Sequence, residues 1–211
     1  TSTYSYHARI EMLDNSGNRT YVGDGSSSIF VRAAQTELAA QYSTSYIPTN
    51  GTSVTRNADV CNNAGTSATF NDSEGVLYAE ISALADDGTN RAIGLSDGTG
   101  NNRVGFLFRS SNTIRVMVVS NGSVSFDEQF QVTSILDYHK VAVKYKANDF
   151  ALWIDGVERQ TDTSGSTPIG LNELIFTIGN ATSQPFYGNT KQLIYFNEAL
   201  SDEELEALTT L

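Results

Sequence analysis

From Thr66 to its last residues the chain reads as strand after strand, parted by turn residues at even spacing and closed by one capped helix. The clearest stretch is Lys140-Val-Ala-Val-Lys-Tyr-Lys-Ala-Asn-Asp-Phe-Ala-Leu-Trp-Ile-Asp-Gly156, in which apolar and polar residues alternate. A period of two is the signature of a strand with one buried face. Two strands are therefore expected, joined by a turn at Ala147-Asn148-Asp149, and Asp155-Gly156 supplies the left-handed pair of a type I′ hairpin. Similar patterns predict strands over 75–83, 91–96, 102–109, 113–119, 123–130, 138–145, 150–155, 173–179 and 188–196. Such regular spacing predicts an all-β fold, a sandwich of two antiparallel sheets, and not a parallel α/β sheet. The last element is a short helix. Ser201 and Glu204 form a capping box, Leu200 and Leu205 a hydrophobic staple, and Leu205 with Leu208 the apolar face.

The first 45 residues read differently, as a β arm or the remnant of a preceding β module. Tyr4, Tyr6, Ala8, Ile10 and Met12 alternate, and Asp14-Asn15-Ser16-Gly17-Asn18 is a turn cluster. Residues 19–23 and 28–33 read as short strands, and 33–41 as helix formers or a continuation of the preceding strand. So few strands cannot hold a core alone. Residues 46–65, with Pro48 and Gly51, read as a linker, and 66–211 as the main domain.

Composition narrows the function. The 211 residues carry a formal charge of −11, which disfavours a nucleic-acid partner, whose phosphates demand cations. The same charge disfavours adhesion to an anionic membrane, and no apolar run approaches the roughly 20 residues of a membrane span. The single cysteine, Cys61, cannot form an internal disulfide, so a disulfide-stapled ectodomain is excluded and a bacterial or viral product fits better. The chain begins at Thr1 without Met, which reads as a piece cut from something longer.

Gly94-Leu-Ser-Asp-Gly98 matches the serine-hydrolase elbow, but a strand and a Gly/Asn loop surround it where the elbow needs strand, turn and helix. No strand carries the paired carboxylates of a glycosidase, so an enzyme is not the expected reading. Calcium is the one candidate cofactor, with Asp86, Asp87 and Asp97 as loop ligands, although Asp, Asn and Gly are also what tight turns require. Aromatic rings beside Asn and Arg suit sugars, which present flat C–H faces and hydroxyls. Trp153 alternates with Leu152 and Ile154 and so points away from their core, either as a ligand platform or packed against helix or arm. With Tyr187, Arg91, Arg103 and Asn101 it completes the candidate binding set. Arg91, Arg103, Arg109 and Arg115 alternate along adjacent strands, which offers one shared face or ordinary surface ion pairs.

Phe70-Asn-Asp-Ser-Glu-Gly-Val-Leu-Tyr-Ala-Glu80, Gly94-Leu-Ser-Asp-Gly98, the 140–152 run and Ile194-Tyr-Phe-Asn-Glu-Ala-Leu-Ser-Asp-Glu-Glu-Leu205 together resemble the laminin-G-like, concanavalin A-like jelly rolls. With Thr44-Ser-Tyr-Ile-Pro-Thr49 and Thr55-Arg-Asn-Ala-Asp59 upstream, the chain is similar to the version found in bacteriophage tail, fibre and other virion proteins. The resemblance implies a jelly-roll sandwich that binds oligo- or polysaccharide without catalysis, sometimes with calcium. It also implies a place on a virion or outside the cell, and homo-oligomeric display through a parent fibre. A decoration domain with no ligand, and less so a glycan-cleaving enzyme, are the alternatives.

Overall fold

The structure, a computed structural model, describes residues 64–179 and 184–211, and of the N-terminal part residues 13–14, 16–19, 22, 25–26, 30–37 and 45–55. The expected strand over Tyr4–Met12 and the lone Cys61 lie outside the described residues. Residues 30–37, expected as strand or helix, are irregular. Two compact units emerge, one of Thr1–Ala39 with Thr44–Val54 and one of Ala40–Ser43 with Thr55–Leu211. In the first, the Asp14 carboxylate accepts hydrogen bonds from the Ser16 and Asn18 amides, as the turn composition requires. There too, the Gln35 amide group bridges the backbone of Ser45 and Ile47.

The second unit holds ten strands and one helix: β1 (Glu74–Ala83), β2 (Arg91–Ser96), β3 (Arg103–Arg109), β4 (Thr113–Ser120), β5 (Ser123–Gln131), β6 (His139–Lys146), β7 (Asp149–Ile154), β8 (Val157–Asp162), β9 (Glu173–Ile175), β10 (Gly188–Phe196) and α1 (Asp202–Thr209). They form two five-stranded antiparallel sheets in the orders β10-β1-β6-β7-β8 and β5-β4-β3-β2-β9. This is the expected two-sheet jelly-roll sandwich with a short C-terminal helix.

Alternation builds the core. Leu77, Ala79 and Ile81 of β1, Val141, Val143 and Tyr145 of β6, and Phe150, Leu152 and Ile154 of β7 point inward from one sheet. Ile93, Leu95, Val104, Phe106, Phe108, Ile114, Val116, Val118 and Phe126 meet them from the other. Phe126 stacks on Phe150 across the sandwich with ring centres 5.9 Å apart. Asp155 (φ 53°) and Gly156 (φ 77°) are both left-handed, as the I′ turn demands. A Cβ on Gly156 would also come within 2.9 Å of the Thr210 hydroxyl.

Two strands depart from expectation. β8 follows the I′ turn, and its sequence Val-Glu-Arg-Gln-Thr-Asp has one apolar residue, too few to advertise a strand. The strand expected over 173–179 pairs only through Ile175. Beyond it Ile178 packs on Ala92 and Leu107, on the outside of the second sheet.

The helix forms as expected. The Ser201 hydroxyl accepts from the Glu204 amide and the Glu204 carboxylate accepts from the Ser201 amide, and Asp202, Glu203 and Glu204 complement the positive end of the dipole. Its Leu205 is fully buried against the outer face of the first sheet, in a cluster with Val76, Tyr78, Ala142, Ala151 and Trp153. Among the described residues no helix is long and apolar enough to cross a membrane.

Candidate functional site

The first sheet's outer face is occupied by α1. The second sheet's outer face carries polar side chains along β4 and β5, whose Ile114, Val116, Val118 and Phe126 turn inward so that alternate residues point out. On β2 and β3, Ala92 and Leu107 lie under Ile178. Antiparallel register lines these up in rows. Ala92, Leu107, Arg115 and Gln129 form one row, Gly94, Gly105, Met117 and Asp127 the next, and Ser96, Arg103 and Val119 a third. Arg109, Thr113 and Gln131 continue the face at its other end.

Asp127 and Arg115 are cross-strand neighbours held by two parallel contacts, Arg115 Nε to Asp127 Oδ1 at 2.5 Å and Nη2 to Oδ2. This fork-on-carboxylate geometry fixes the guanidinium plane. Arg103 is held otherwise. Its Nη1 donates to the Gly100 carbonyl, and its Nη2 lies 2.9 Å from the Met117 sulfur. Gly100 and Gly179 pack closely against the side chain, since a Cβ on Gly179 would fall 3.1 Å from Arg103 Cδ. Arg103 Nε is buried without a hydrogen-bond partner among the described residues. Burial, with Arg115 alongside, pulls the Arg103 guanidinium below its ordinary value, whereas the bonded Asp127 carboxylate holds Arg115 above its own. Both remain charged at any working pH. Arg109 Nη1 reaches Gln129 Oε1 at 3.5 Å, and Gln131 Nε2 donates to the Ser111 carbonyl. Asp127, Gln129 and Gln131 are exposed, and Arg109, Arg115 and Met117 partly so.

The structure redistributes the residues singled out in the sequence. Trp153 does point away from the sandwich core, but α1 covers it. It is 6% exposed and packs with Leu205, so it presents no ring face to a ligand. Its role as a sugar platform is corrected to that of helix support. The signal was present in the amphipathic helix itself, whose leucines require an apolar seat on the sheet. Arg91 is also corrected. It pairs in register with the inward-facing Phe108, has the opposite parity to Arg103, and is 2% exposed. Its guanidinium closes a turn by donating to the Thr89 carbonyl (2.9 Å) and to Asp87 (2.8 Å). Of the four arginines expected on one face, Arg103, Arg109 and Arg115 share it.

Tyr187 is 41% exposed just before β10, while the neighbouring Phe186 stacks on Phe108. Asn101 is exposed in the β2–β3 loop that leads into Arg103, and its carbonyl accepts from the Gly122 amide. Gln129 and Gln131 were missed. Two glutamines on an edge strand give no signal until register places them beside arginines.

Of the three candidate calcium ligands, Asp97 and Asp87 are engaged in their own turns, and Asp86 reaches the turn between β3 and β4. Asp97 accepts from the Thr99 amide (2.8 Å), the Thr99 hydroxyl (2.7 Å) and the Asn102 side chain (2.9 Å), and despite partial burial these bonds hold its carboxyl below the usual value. Asp87 accepts from the Thr89 amide and Arg91, which pulls its pKa down to about 2. Asp86 accepts from the Asn112 amide at 3.2 Å. Among the described residues no three acidic, histidine or cysteine side chains converge as a metal site. A calcium ion takes six to eight oxygens, so binding here would draw on loop carbonyls and water as well as these carboxylates.

Nor is Gly94–Gly98 an elbow. Ser96 is buried in β2, its hydroxyl donating to the Thr99 and Gly179 carbonyls. His139 has both ring nitrogens occupied, one by Asp155 and one by the Ser134 carbonyl.

A family model described as the concanavalin A-like lectin/glucanases superfamily matches residues 66–206. No curated protein matches the chain. Among solved structures, the Ruminococcus gnavus IT-sialidase CBM40 is similar at a TM-score of 0.56 and 14% identity, over 66% of this chain and 84% of that one. The leech intramolecular trans-sialidase is similar at 0.56 and 16%, over 67% of this chain and 24% of its own. The Streptococcus pneumoniae NanB sialidase gives 0.56 and 15%, over 68% and 25%. The chain thus spans most of the separate CBM40 and about a quarter of each whole sialidase, and at these identities the likeness is one of fold. On the strength of the match across residues 66–206, the chain belongs to the concanavalin A-like lectin/glucanases superfamily.

Proposed function

We propose that this domain is a carbohydrate-binding module that holds its parent protein to oligo- or polysaccharide without cleaving it. The observation that carries the reading is the outer face of the second sheet, where Arg103, Arg109, Arg115, Gln129 and Gln131 project in register. Guanidinium and amide groups with fixed spacing suit the hydroxyls of a sugar, and Met117 adds an apolar contact. The Ruminococcus gnavus CBM40 is known bound to alpha2,3 and to alpha2,6 sialyllactose, which supports a saccharide as the class of ligand.

The same face argues against hydrolysis. Its carboxylates are Asp127, committed to Arg115, and Glu173 on β9 at the far edge. Four strand spacings separate β5 from β9, roughly 19 Å. A glycosidase pair works at about 5–9.5 Å.

We place the parent on a virion or bacterial surface. The resemblance of residues 44–49 and 55–59 to phage virion domains supports this. A shallow face binds weakly, so oligomeric display would supply avidity. A glycan array probed with the whole chain tests the function. Retention that falls at least tenfold in Arg115→Ala, with an unchanged melting temperature, is expected. Binding of no glycan would leave a structural decoration domain, and release of reducing sugar would establish an enzyme.

A further inference from the structure

We infer that the ligand is an acidic saccharide whose oxyanion seats at Arg103 and Arg115. This rests on the reading of the second sheet's outer face as a glycan site and names the ligand class.

The chain as a whole carries a charge of −11, yet its β3–β5 face presents three guanidinium groups against the single carboxylate of Asp127. That carboxylate is taken up by Arg115 through both oxygens. Arg103 is left with neutral acceptors only, a carbonyl and a thioether, the latter a weak one. Its Nε is buried with no partner among the described residues. Arg103 is half-buried, and the one carboxylate of this face, Asp127, acts on it while bonded to Arg115, so the two guanidinium groups share a single counter-ion and keep one surplus positive charge. Burial first, and then the charge of Arg115, lowers the Arg103 pKa, and Asp127 offsets part of that effect.

The cation is also held in place. Gly100 and Gly179, which approach each other closely, also pack against its side chain, and Asp127 fixes the plane of Arg115 beside it. Two neighbouring guanidinium groups, both restrained before the ligand arrives, match the two or three oxygens of a carboxylate or sulfate ester. Little ordering cost remains for binding. A neutral sugar hydroxyl would leave the surplus charge uncompensated.

Titration calorimetry on the whole chain tests the assignment with three matched pairs: 3′-sialyllactose against lactose, oligogalacturonate against its methyl ester, and heparin oligosaccharides against their desulfated form. The expected result is binding of one or more acid forms at least tenfold tighter than the matched neutral form, weakening as salt rises. Arg103→Ala should abolish that preference at unchanged melting temperature, and Arg103→Lys should restore part of it. If the Ala variant unfolds, Arg115→Gln reads the same preference. Loss of heparin binding on desulfation would assign the oxyanion to sulfate, and uronate or sialoside binding that is lost in the ester or in lactose would assign it to carboxylate. Equal affinity for acid and neutral forms, or a preference untouched in Arg103→Ala, would overturn the inference and leave glycan binding standing. Failure of every glycan on the array described above would remove both.

Discussion

His139 Nδ1 lies 2.6 Å from Asp155 Oδ2, so the first residue of β6 is tied to the turn between β7 and β8. The other Asp155 oxygen accepts from the Lys140 amide, and His139 Nε2 faces the Ser134 carbonyl. Burial opposes the charged imidazole, but the Asp155 bond, the Ser134 carbonyl and the field of Asp137 outweigh it and raise the pKa above 6.5. A raised folded-state pKa means that protonated His139 stabilises the fold. That contribution is complete below the unfolded value near 6.5 and is lost as pH climbs through the higher folded value. The melting temperature should therefore decline as pH rises from about 6.5 through neutrality. His139→Gln should flatten that decline. A wild-type curve that rises over this interval would refute the linkage.

Trp153→Ala should be costly to the fold. Removing a fully packed aromatic destabilises by about 3–5 kcal/mol, and here it also takes the seat from Leu205. Since the chain has one tryptophan, its fluorescence isolates this site. Native emission should be blue-shifted and resist iodide quenching, and both properties should vanish in Leu205→Ala. Emission typical of a solvated indole in the wild type would contradict the packing.

Ser201→Ala removes one half of the capping box and should cost about 0.5–2 kcal/mol in chemical denaturation. Asp127→Ala should cost about 0.2–1 kcal/mol, because the Arg115 pair is substantially solvent-exposed. The second substitution should nevertheless alter glycan retention strongly, and the first should leave it alone. Reversal of that pattern would mean that the helix, and not the second sheet, carries the ligand.

Asp97→Ala should destabilise by about 1.5–3 kcal/mol, the cost of charge-assisted hydrogen bonds, whether or not calcium is present. Calcium at millimolar concentration should leave the wild-type melting temperature where it is. An increase that Asp97→Ala or Asp87→Ala abolishes would restore these turns as a metal site.

The fold was legible because β4 alternates, and because β1, β3, β6 and β7, buried on both faces for most of their length, are short runs of apolar and aromatic residues bounded by turn residues. β8 was not, since it is an edge strand whose stability comes from the I′ turn and from pairing with β7, neither of which needs apolar residues. Residues 176–179 misled for the opposite reason. They look like strand, yet leave the ladder and lie across Ala92 and Leu107. Trp153 shows the limit of periodicity, which fixes the side of a sheet that a residue occupies but not what lies over it. The Arg91 error is one of register. Its parity relative to Arg103 depends on the length of the β2–β3 loop, which no local pattern encodes.

The alternation of β3, β4 and β5 assigns packing and recognition to different residues of the same strands. Val104, Phe106, Val116 and Val118 cannot change without a cost in packing, while Arg103, Arg115, Gln129 and Gln131 can be exchanged at little thermodynamic penalty. A sheet built this way is permissive to drift on its outer side. One scaffold can then acquire new ligands by substitution at a handful of positions, and relatives that keep the fold need not keep the sugar.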